Sequence, residues 1–407
     1  MFRYNIYMKI DQITNSLTGS IGTITLNISD ALTRRGIVNR IYISSGPAVT
    51  SNIINYSNPL ANKCAALKSK ITGRYGFNNI YATKELIKYL DKSKPNLILF
   101  HNIHGHDFNL NHLFSYLSSR NIRVIWLFHD CWAFTGGCVH PGTCNNWKSK
   151  CTHCPQIKKF SFFMDTSSNN FIDKLNIANL HNIETIITPS NWLNTIVRES
   201  IFKNKKIITI FNGIDTSIFN INKNKANKIK YLEGKKILVT CANKLTENKG
   251  LSYYIKLSSM LENDYHILVI GTIEENISLP SNMSSLGTIA DKKELSAIYS
   301  SCYAFVNLTQ ADTLPTVNLE AQACGLPVIC NDVGGCKDTL VPGYSKLIPF
   351  NDLAKCLKEI KSLKVSNEVK QMLHEYIDLH FNKTTQSNLL INILLKHCQD
   401  TTNNNYQ

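Results

Sequence analysis

The sequence contains no run of the about 20 consecutive apolar residues that a membrane-spanning helix needs. Its first residues also lack the long apolar stretch and the small-residue cleavage site of a secretory signal. Both absences predict a protein that stays in the cytoplasm. Acidic residues are few: 29 Asp and Glu stand against 44 Lys and Arg, which leaves a formal net charge of +15.

This positive charge is compatible with three classes of partner: nucleic acid, an anionic membrane surface and phosphate-bearing substrates. The sequence has no basic helix, no zinc-finger spacing and no aromatic-basic signature of a nucleic-acid module, so we expect no nucleic-acid partner. We predict phosphate-bearing substrates, and peripheral association with anionic lipid on the inner face of the cell membrane.

With 407 residues the chain is too long for one ordinary core. Runs of β-branched residues alternate with helical patterns, which is typical of crossover units and a mostly parallel sheet. The polar stretch at 220–230 separates two such series. We therefore predict an α/β fold of two doubly wound, Rossmann-like domains that face a cleft. They comprise residues 1–215, with a cysteine-rich loop at 131–160, and residues 216–385, followed by a C-terminal helix and tail at 386–407.

Ligands bind at the carboxyl ends of the strands in such folds, so the residues that follow each strand are the candidates for a site. In the first half, strands are predicted at Tyr4–Ile10, Val38–Ile43, Asn96–His101, Arg123–Phe128, Glu184–Thr188 and Lys206–Phe211, with helices at Ser20–Arg35, Thr83–Lys92 and Asp107–Arg120. In the second half, strands are predicted at Lys236–Cys241, His266–Ile270, Tyr303–Leu308 and Pro327–Cys330, with helices at Gly250–Leu261, Lys293–Ser300 and Val317–Ala323.

The clearest helix start of the second half lies at Leu314-Pro315-Thr316. Proline in a first turn with threonine beside it is typical of a helix beginning. The backbone amides of Thr316 and Val317 are expected to face whatever precedes the helix, and such an end attracts phosphate. We predict that Leu314, Pro315, Thr316 and Val317 bind a phosphate-bearing donor.

Two acidic residues flank this helix start. Asp312 lies in the preceding loop, and Glu320 lies one turn inside the helix. A carboxylate at the position of Glu320 can accept hydrogen bonds from two ribose hydroxyls, as acidic residues do in nucleotide sites generally. The alternative is an ordinary capped helix with an acidic first turn.

Lys244 and Lys249 lie five residues apart on the loop after the predicted strand Lys236–Cys241. Two cations there can both reach a diphosphate, and fixed cations stabilise the negative charge that builds on a leaving phosphate. Lysine does this as a point charge, without the bidentate geometry of arginine. The alternative is a solvated, lysine-rich helix start. Gly271 follows the next predicted strand.

In the first half, Gly19 and Gly22 follow the first strand and open a helix, where glycine lets the backbone approach a ligand closely. His104, His129 and Asp130 also follow predicted strands. Clustered histidines indicate either a metal site or the polar lining of a cleft, and their placement at strand ends favours the lining. We assign His104 and Asp130 to the acceptor side.

The chain has 13 cysteines, an odd number without a secretory signal, which argues against a disulfide framework. Four of them, Cys138, Cys144, Cys151 and Cys154, fall within seventeen residues and end in a Cys-x2-Cys pair. Four thiols so spaced match a structural tetrahedral zinc site. The alternatives are a redox pair and unligated thiols.

Several of these segments resemble glycosyltransferase family 4, and a bacterial surface-polysaccharide branch in particular. The family's Glu-x7-Glu motif, with its small-residue turn, corresponds to 312–328, where Asp312 replaces the first Glu. Its Gly-Arg-Leu motif corresponds to 242–250, where Asn243-Lys244 replaces Gly-Arg. The segments HNIHGH and FHDCW and the cysteine-rich loop extend the resemblance over roughly residues 5–345.

The resemblance implies a retaining glycosyltransferase with the GT-B fold, a hexosyltransferase that takes a UDP- or GDP-sugar. It implies that Asp312 and His129 contact the transferred sugar, and that Glu320 holds the ribose. The acceptor would be a growing, lipid-linked saccharide of an O-antigen or capsule. No catalytic cofactor is implied, because lysines and helix amides supply the positive field. Beside the donor the resemblance also places Gly19, Gly22 and Gly271.

Two rival interpretations remain open at this point. The first is another enzyme with two Rossmann domains: a nucleotide-sugar epimerase would convert its substrate without any acceptor, and a phosphorylase would need a pyridoxal-binding lysine site that we do not identify. The second is a non-catalytic sugar-nucleotide-binding protein, because Asp312 and Lys244 depart from the family pattern.

Overall fold

The computed structural model describes residues 8–222, 226–275 and 277–404, with side chains to residue 397. The chain divides into two compact units, which comprise Met1–Phe211 with Ser387–Gln407, and Asn212–Gln386. The last helix therefore packs with the first unit, although it lies at the far end of the sequence.

The first unit is a seven-stranded parallel sheet with strand order β3-β2-β1-β4-β5-β6-β7. Its strands are β1 (Lys9–Thr14), β2 (Val38–Ile43), β3 (Ile53–Asn55), β4 (Leu97–Phe100), β5 (Arg123–Leu127), β6 (Ile183–Thr188) and β7 (Lys206–Thr209). Its helices are α1 (Gly19–Arg34), α2 (Pro59–Thr72), α3 (Ile80–Ser93), α4 (Leu110–Ser119), α5 (Ser167–Ala178) and α6 (Asn191–Arg198).

The second unit is a six-stranded parallel sheet with strand order β10-β9-β8-β11-β12-β13. Its strands are β8 (Lys236–Lys244), β9 (Tyr265–Thr272), β10 (Met283–Ser285), β11 (Ala304–Asn307), β12 (Val328–Asn331) and β13 (Lys346–Ile348). Its helices are α7 (Leu251–Met260), α8 (Lys292–Ser301), α9 (Thr316–Ala323), α10 (Leu353–Ser362) and α11 (Asn367–Phe381), and α12 (Lys383–Asn404) ends the described chain.

Each sheet has one point where the strand order reverses, between β1 and β4 in the first unit and between β8 and β11 in the second. Crossover connections leave such neighbouring strands in opposite directions, so a crevice opens at their carboxyl ends. The loops after β4, β8 and β11 carry the predicted site residues His104, Lys249, Asp312, Leu314 and Pro315, and the helices α1 and α9 that follow β1 and β11 carry five more. The α/β fold of two Rossmann-like units is thus confirmed.

The core of the first unit lies on both faces of its sheet, as expected for parallel strands. Alternate residues of β4 point to opposite faces, so Ile98 and Phe100 pack with α3 to α6, whereas Leu97 and Leu99 pack with α1 and α12. The apolar side of α12 consists of Leu390, Ile391, Leu394 and Leu395, all buried.

Polar contacts also tie α12 to this sheet. Glu184 on β6 accepts from His397 Nδ1 at 2.6 Å and from Arg123 Nε at 2.8 Å. The other ring nitrogen of His397 lies 3.0 Å from the hydroxyl of Thr185. These contacts set the register of α12 along β5 and β6, where its leucines fill the core.

Most predicted elements of the described chain are confirmed to within a few residues, but the predicted end of the first strand is wrong. Residues 4–7 of the prediction Tyr4–Ile10 lie outside the described part, and the described strand, Lys9–Thr14, ends four residues later than predicted. Asp11 and Gln12 are fully buried in it. Such polar residues argue against a buried strand until their hydrogen-bond partners are known, since burying an unpaired polar group is costly.

Within the described residues, no helix is both long and apolar enough to cross a membrane.

We predict that Leu394→Ala destabilises the first unit by about 2–5 kcal/mol, because it leaves a cavity between α12 and the sheet. Leu389→Ala, on the half-exposed side of the same helix, should cost less than about 0.5 kcal/mol. All four tryptophans belong to the first unit, so denaturation followed by tryptophan fluorescence reports on this unit alone. Equal effects of the two changes would contradict the packing of α12 described above.

Candidate active site

The predicted site histidine of the first unit, His129, follows β5 and lies beside His101, which follows β4. The two rings stack at 5.5 Å between centroids, and His101 Nδ1 lies 3.3 Å from His129 Nε2. The other nitrogen of His101 lies 2.9 Å from Gln12 Oε1. A buried chain of polar groups thus connects β1, β4 and β5 at the point where the strand order reverses.

Burial keeps the imidazole of His129 neutral. The pKa of His129 is lowered to about 4, mainly by burial; the nearby Asp130 acts to raise it and His104 acts to lower it. Burial and His129 likewise hold the pKa of His101 well below its usual range. At neutral pH His129 can therefore exchange hydrogen bonds with a hydroxyl group but carries no charge.

His104 and Asp130 form a second pair in the same pocket, with His104 Nε2 2.9 Å from Asp130 Oδ2. Burial alone would lower the pKa of His104, but the Asp130 carboxylate outweighs it and raises that pKa. Burial would raise the pKa of Asp130, but His104 and the Trp132 amide, which donates to Oδ1 at 2.8 Å, lower it. The two predicted acceptor-side residues are therefore brought together as a pair next to a neutral histidine.

A residue that the sequence analysis missed supports this pocket from behind. Lys174 on α5 is fully buried, and its ammonium donates to the carbonyls of Trp132 at 2.6 Å and Thr135 at 2.9 Å. It also lies 3.4 Å from the centre of the Trp132 ring, which in turn contacts His104. Lys174 thereby fixes the segment that follows Asp130. Nothing in the pattern of α5 distinguishes it from a solvated lysine.

Gly19 and Gly22 lie at the start of α1, near the carboxyl end of β1. Gly19 has a φ of 67°, which few other residues adopt readily. A Cβ at Gly22 would lie 2.1 Å from the carbonyl carbon of Leu17. The close packing of the chain against itself therefore explains Gly22 without a ligand, and the predicted donor contact of both glycines stays a prediction.

In the second unit, the structure brings together two of the predicted catalytic residues. Lys249 Nζ lies 2.9 Å from Asp312 Oδ2, and both side chains are partly exposed. Their loops are joined through the backbone as well, because the Gln310 amide donates to the Asn248 carbonyl at 3.0 Å. The ion pair thus sits at the carboxyl ends of β8 and β11.

Two glycines that are not among the predicted site residues position this pair, although Gly250 ends the predicted motif 242–250. A Cβ at Gly334 would lie 1.9 Å from the Asp312 carbonyl oxygen, and the Gly335 amide donates to that oxygen at 2.9 Å. A Cβ at Gly250 would lie 2.4 Å from the Leu308 carbonyl oxygen. The signal for them was present in the Lys-Gly and Val-Gly-Gly segments, which both follow predicted strands.

Lys244 has a different partner. It ends β8 and forms an ion pair with Glu274 at 3.1 Å, with both side chains about half exposed. In the described residues no ion pair or hydrogen bond joins Lys244 to Asp312, so Lys244 and Lys249 do not share a counter-ion. Gly271 lies beside Lys244. A Cβ at Gly271 would lie 1.6 Å from the Ala242 carbonyl oxygen, so glycine is needed there to leave room for this carbonyl.

The predicted donor-binding helix is α9, whose N-cap is Pro315 with Thr316 as the first helical residue. No side chain caps this end, and the first turn contains no acidic residue. Leu314 is buried before it, and Val317 follows in the first turn. An uncapped helix start of this kind favours an anion, because its amides carry the positive end of the helix dipole.

Glu320 lies in the second turn of α9 and is partly buried. Burial raises the pKa of Glu320 to about 7, and only Lys292 acts against this shift. Within the described residues the Glu320 carboxylate makes no ion pair or hydrogen bond. Burial is the main cause that raises the pKa of Cys241, Tyr299 and Cys324, and the nearby Glu320 raises each of these pKa values further. Its acceptor capacity is therefore unused.

The four cysteines of the predicted zinc site lie in the loop between β5 and α5, all as free thiols. Cys151 Sγ accepts from the Gly136 amide at 3.1 Å. Burial, with a smaller effect of Cys138 and Cys144, raises the pKa of Cys151 to about 12. Across the described part of the chain, however, no three His, Cys, Asp or Glu side chains are arranged to hold a metal ion. Zinc binding would require these thiols to move together, and it stays a prediction.

Comparison with known families covers nearly all of this chain. Residues 21–218 match the family Glycosyltransferase Family 4, and residues 222–379 match the family Glycosyl transferases group 1. The two matches cover one unit each. The chain belongs to glycosyltransferase family 4. It is an enzyme that transfers glycosyl groups, as the resemblance predicted.

Relatives with assigned names are distant in sequence. A protein of Escherichia coli K12 described as the colanic acid biosynthesis glycosyl transferase WcaC is 20% identical over 333 residues, which are 75% of this chain and 80% of that protein. The N,N'-diacetylbacillosaminyl-diphospho-undecaprenol α-1,3-N-acetylgalactosaminyltransferase of Campylobacter jejuni is 25% identical over 138 residues, 33% of this chain and 37% of that one. Glycosyltransferases with roles in polysaccharide biosynthesis are thus among the relatives of this chain.

Solved structures share the fold. A sucrose-phosphate synthase from Thermosynechococcus elongatus matches with a TM-score of 0.72 at 16% identity, over 97% of this chain and 100% of that one. The Anabaena protein HepE in complex with UDP and glucose matches with a TM-score of 0.67 at 13% identity, over 96% and 100%. These likenesses confirm the GT-B fold.

We predict that the protein, purified under reducing conditions, contains about one zinc ion per chain, bound by Cys138, Cys144, Cys151 and Cys154. Cys151→Ser with Cys154→Ser should abolish the zinc and lower the melting temperature, because the metal stabilises the folded loop. Cys64→Ser, at an exposed cysteine of α2, is the matched control and should change neither. Elemental analysis that finds no zinc, with the four thiols freely titratable, would contradict the prediction.

Proposed function

We propose that this glycosyltransferase moves a sugar from a nucleotide diphosphate sugar, UDP- or GDP-linked, to a lipid-linked saccharide acceptor during surface-polysaccharide synthesis, with retention of anomeric configuration. The second unit binds the donor. The first unit supplies the acceptor side and His129.

The observation that carries the proposal is the unused carboxylate of Glu320. A partly buried carboxylate without a donor group costs free energy, so it is expected where a ligand completes its hydrogen bonds. It lies one turn behind an uncapped helix start that favours phosphate. A ribose that donates two hydroxyl groups, attached to a diphosphate, matches both features. Crystals of HepE that contain UDP and UDP-glucose lend support from the same fold.

The ion pair between Lys249 and Asp312 accounts for the rest of the donor. Lys249 supplies a cation for the leaving diphosphate, where negative charge is largest in the transition state. Asp312 holds that ammonium in place at 2.9 Å and still has a second carboxylate oxygen for a sugar hydroxyl. Asp is shorter than Glu, and the Gly335 amide holds its backbone carbonyl at 2.9 Å. Lys244 is paired with Glu274, and its contact with the diphosphate stays a prediction.

The polar groups of the first unit suit an uncharged ligand such as a sugar. A neutral His129 is suited to orient a sugar hydroxyl, and the His104–Asp130 pair offers a carboxylate for the acceptor hydroxyl. The Campylobacter relative is named for a diphospho-undecaprenol acceptor, and the E. coli relative for colanic acid biosynthesis. These names support a lipid-linked acceptor in polysaccharide assembly.

No enzyme nucleophile is required in this scheme. The acceptor hydroxyl attacks the anomeric carbon from the face that the diphosphate leaves, the bond between carbon and phosphate oxygen breaks, and the departing phosphate takes the proton. The attacking oxygen therefore ends on the face that the leaving group occupied, and configuration is retained. Lys249 and the α9 amides stabilise the leaving charge, so we expect turnover without a catalytic divalent metal.

We predict transfer when the purified protein is incubated with a panel of UDP- and GDP-sugars and a lipid-linked saccharide, with the product mass rising by one sugar and its anomeric configuration retained. Mass spectrometry of the product tests the added mass, and proton NMR tests the configuration. Conversion of the donor sugar without acceptor would favour an epimerase, and inversion would overturn the same-face mechanism.

Lys249→Met should lower turnover more than donor affinity, since Lys249 acts mainly in the transition state.

We predict that Glu320→Gln weakens binding of the cognate nucleoside diphosphate about tenfold or more at about pH 8, because the ribose hydroxyls lose a charged acceptor. The folded-state pKa of Glu320 is about 7, so wild-type affinity should fall as the pH drops through 7 and the carboxylate takes up a proton. Glu320→Gln lacks this titration.

Calorimetry of the wild-type protein and of Glu320→Gln at pH values above and below 7 measures the effect of protonating Glu320. The titration of the nucleotide itself affects both proteins equally and therefore cancels in the ratio of their affinities. An affinity ratio between wild type and variant that does not change with pH would remove Glu320 from the nucleotide site.

A further inference from the structure

Helix α2 of the first unit has its apolar side facing outward. Leu60, Cys64, Leu67 and Ile71 recur at helical spacing along one side, and all four are exposed, Leu60 by 71% and Leu67 by 61%. The buried residues of the helix are Ala65 and Ser69, both small. A surface helix of a globular protein normally turns its large apolar residues inward, so this outer side is suited to a partner.

A second apolar element lies next to the end of α2. The segment Phe162-Phe163-Met164 is exposed, Phe163 by 81%, and the two phenylalanine rings lie 6.3 Å apart. The Phe162 amide donates to the Lys70 carbonyl at 2.9 Å, and Thr166 Oγ1 donates to the Thr72 carbonyl at 2.7 Å. These bonds hold the segment against the last turn of α2, so its side chains continue the apolar surface.

The charges around this surface are mostly positive. Five exposed lysines surround it, and none forms an ion pair within the described residues. Neither α2 nor residues 157–164 contain an acidic residue, and Asp165, an exposed residue that follows the aromatic segment, accepts from the amides of Cys154 and Ser167. The five are Lys63, Lys68 and Lys70 on α2, and Lys158 and Lys159 before the aromatic segment.

We infer that α2 and residues 158–164 form a docking surface for an anionic lipid membrane, a conclusion that deepens the proposed function by placing the enzyme where a lipid-linked acceptor resides. Apolar side chains flanked by basic ones bind at the boundary between lipid headgroups and acyl chains. The apolar side chains enter the acyl layer, and the basic side chains neutralise the headgroup phosphates. A second copy of the chain is disfavoured as the occupant, because five lysines would face five lysines.

Flotation with lipid vesicles tests this surface without donor or acceptor. We predict that the wild-type protein binds vesicles of phosphatidylglycerol with phosphatidylcholine, does not bind vesicles of phosphatidylcholine alone, and binds less at high salt. Phe162→Ser with Phe163→Ser should lower the partition coefficient about tenfold or more. Lys63→Gln, Lys68→Gln and Lys70→Gln together should lower it about a hundredfold, about fivefold for each lysine.

The matched controls lie on the second unit. Lys256→Gln, Lys293→Gln and Lys358→Gln remove the same charge from exposed positions, and Leu379→Ser removes an apolar side chain that is 70% exposed. Both controls should bind as the wild type does, and circular dichroism should show every variant folded. An equal loss in the control lysine triple would overturn the proposal, since it would show attraction by net charge alone. A stable dimer that Phe162→Ser with Phe163→Ser dissolves, without vesicle binding, would also overturn it.

The two proposals fail differently. If the surface is correct, the phenylalanine variant transfers sugar to a water-soluble acceptor fragment at the wild-type rate and loses activity only on acceptor held in vesicles. Vesicle binding that depends on these residues, in a protein that transfers sugar to no acceptor, would refute the proposed function and leave the docking surface standing. Equal activity of variant and wild type on vesicle-borne acceptor would refute the docking surface.

Discussion

The central strands of both sheets are covered by helices on their two faces, and this constraint governs where polar groups can lie. Strands β4, β11 and β12 are buried along their whole length. A polar side chain inside such a strand must find its partners within the protein, as Gln12 does with His101 and the Thr25 carbonyl. Chemically useful groups without such partners are confined to the residues just beyond the carboxyl ends.

The geometry of those ends depends on backbone packing more than on side chains. At Gly250, Gly271 and Gly334 a backbone carbonyl from a neighbouring segment occupies the space where a side chain would begin. The contact at Gly271 packs the end of β9 against the end of β8, and the other two bring the loops after β8 and β12 against the chain that follows β11. The ion pair between Lys249 and Asp312 follows from that arrangement. Backbone packing holds their two loops in place, so the two side chains do not have to do so.

Periodicity and helix-start signals were enough to predict the alternation of strands and helices, and the strand Val38–Ile43 is correct to the residue. They failed at β1, because the partners that make Asp11 and Gln12 acceptable in a core come from α3, β2, α1 and β4, far along the chain. Helix α5 is not among the predicted helices for a related reason. Its buried residues include Asn170 and Lys174, which local patterns assign to the surface.

The candidate site shows the same division between local and distant information. Asp312, Glu320, Lys249 and His129 could be predicted because each follows a strand within a recognisable segment. The pairing of Lys244 with Glu274 could not, because the second residue lies on a different loop. His101 and Lys174 were overlooked because their importance comes from what they contact: His101 connects His129 to the core, and Lys174 supports the wall behind His104.

The electrostatics of the two units differ in a way that bears on which ligand each can hold. In the first unit the charges near the site are satisfied internally: His104 pairs with Asp130, Lys174 donates to carbonyls, and His129 is neutral. In the second unit Glu320 remains unsatisfied, and α9 begins without a cap. Unsatisfied groups reduce stability unless a ligand completes them. The unit that bears this cost is therefore the one expected to bind a charged ligand with many hydrogen-bonding groups.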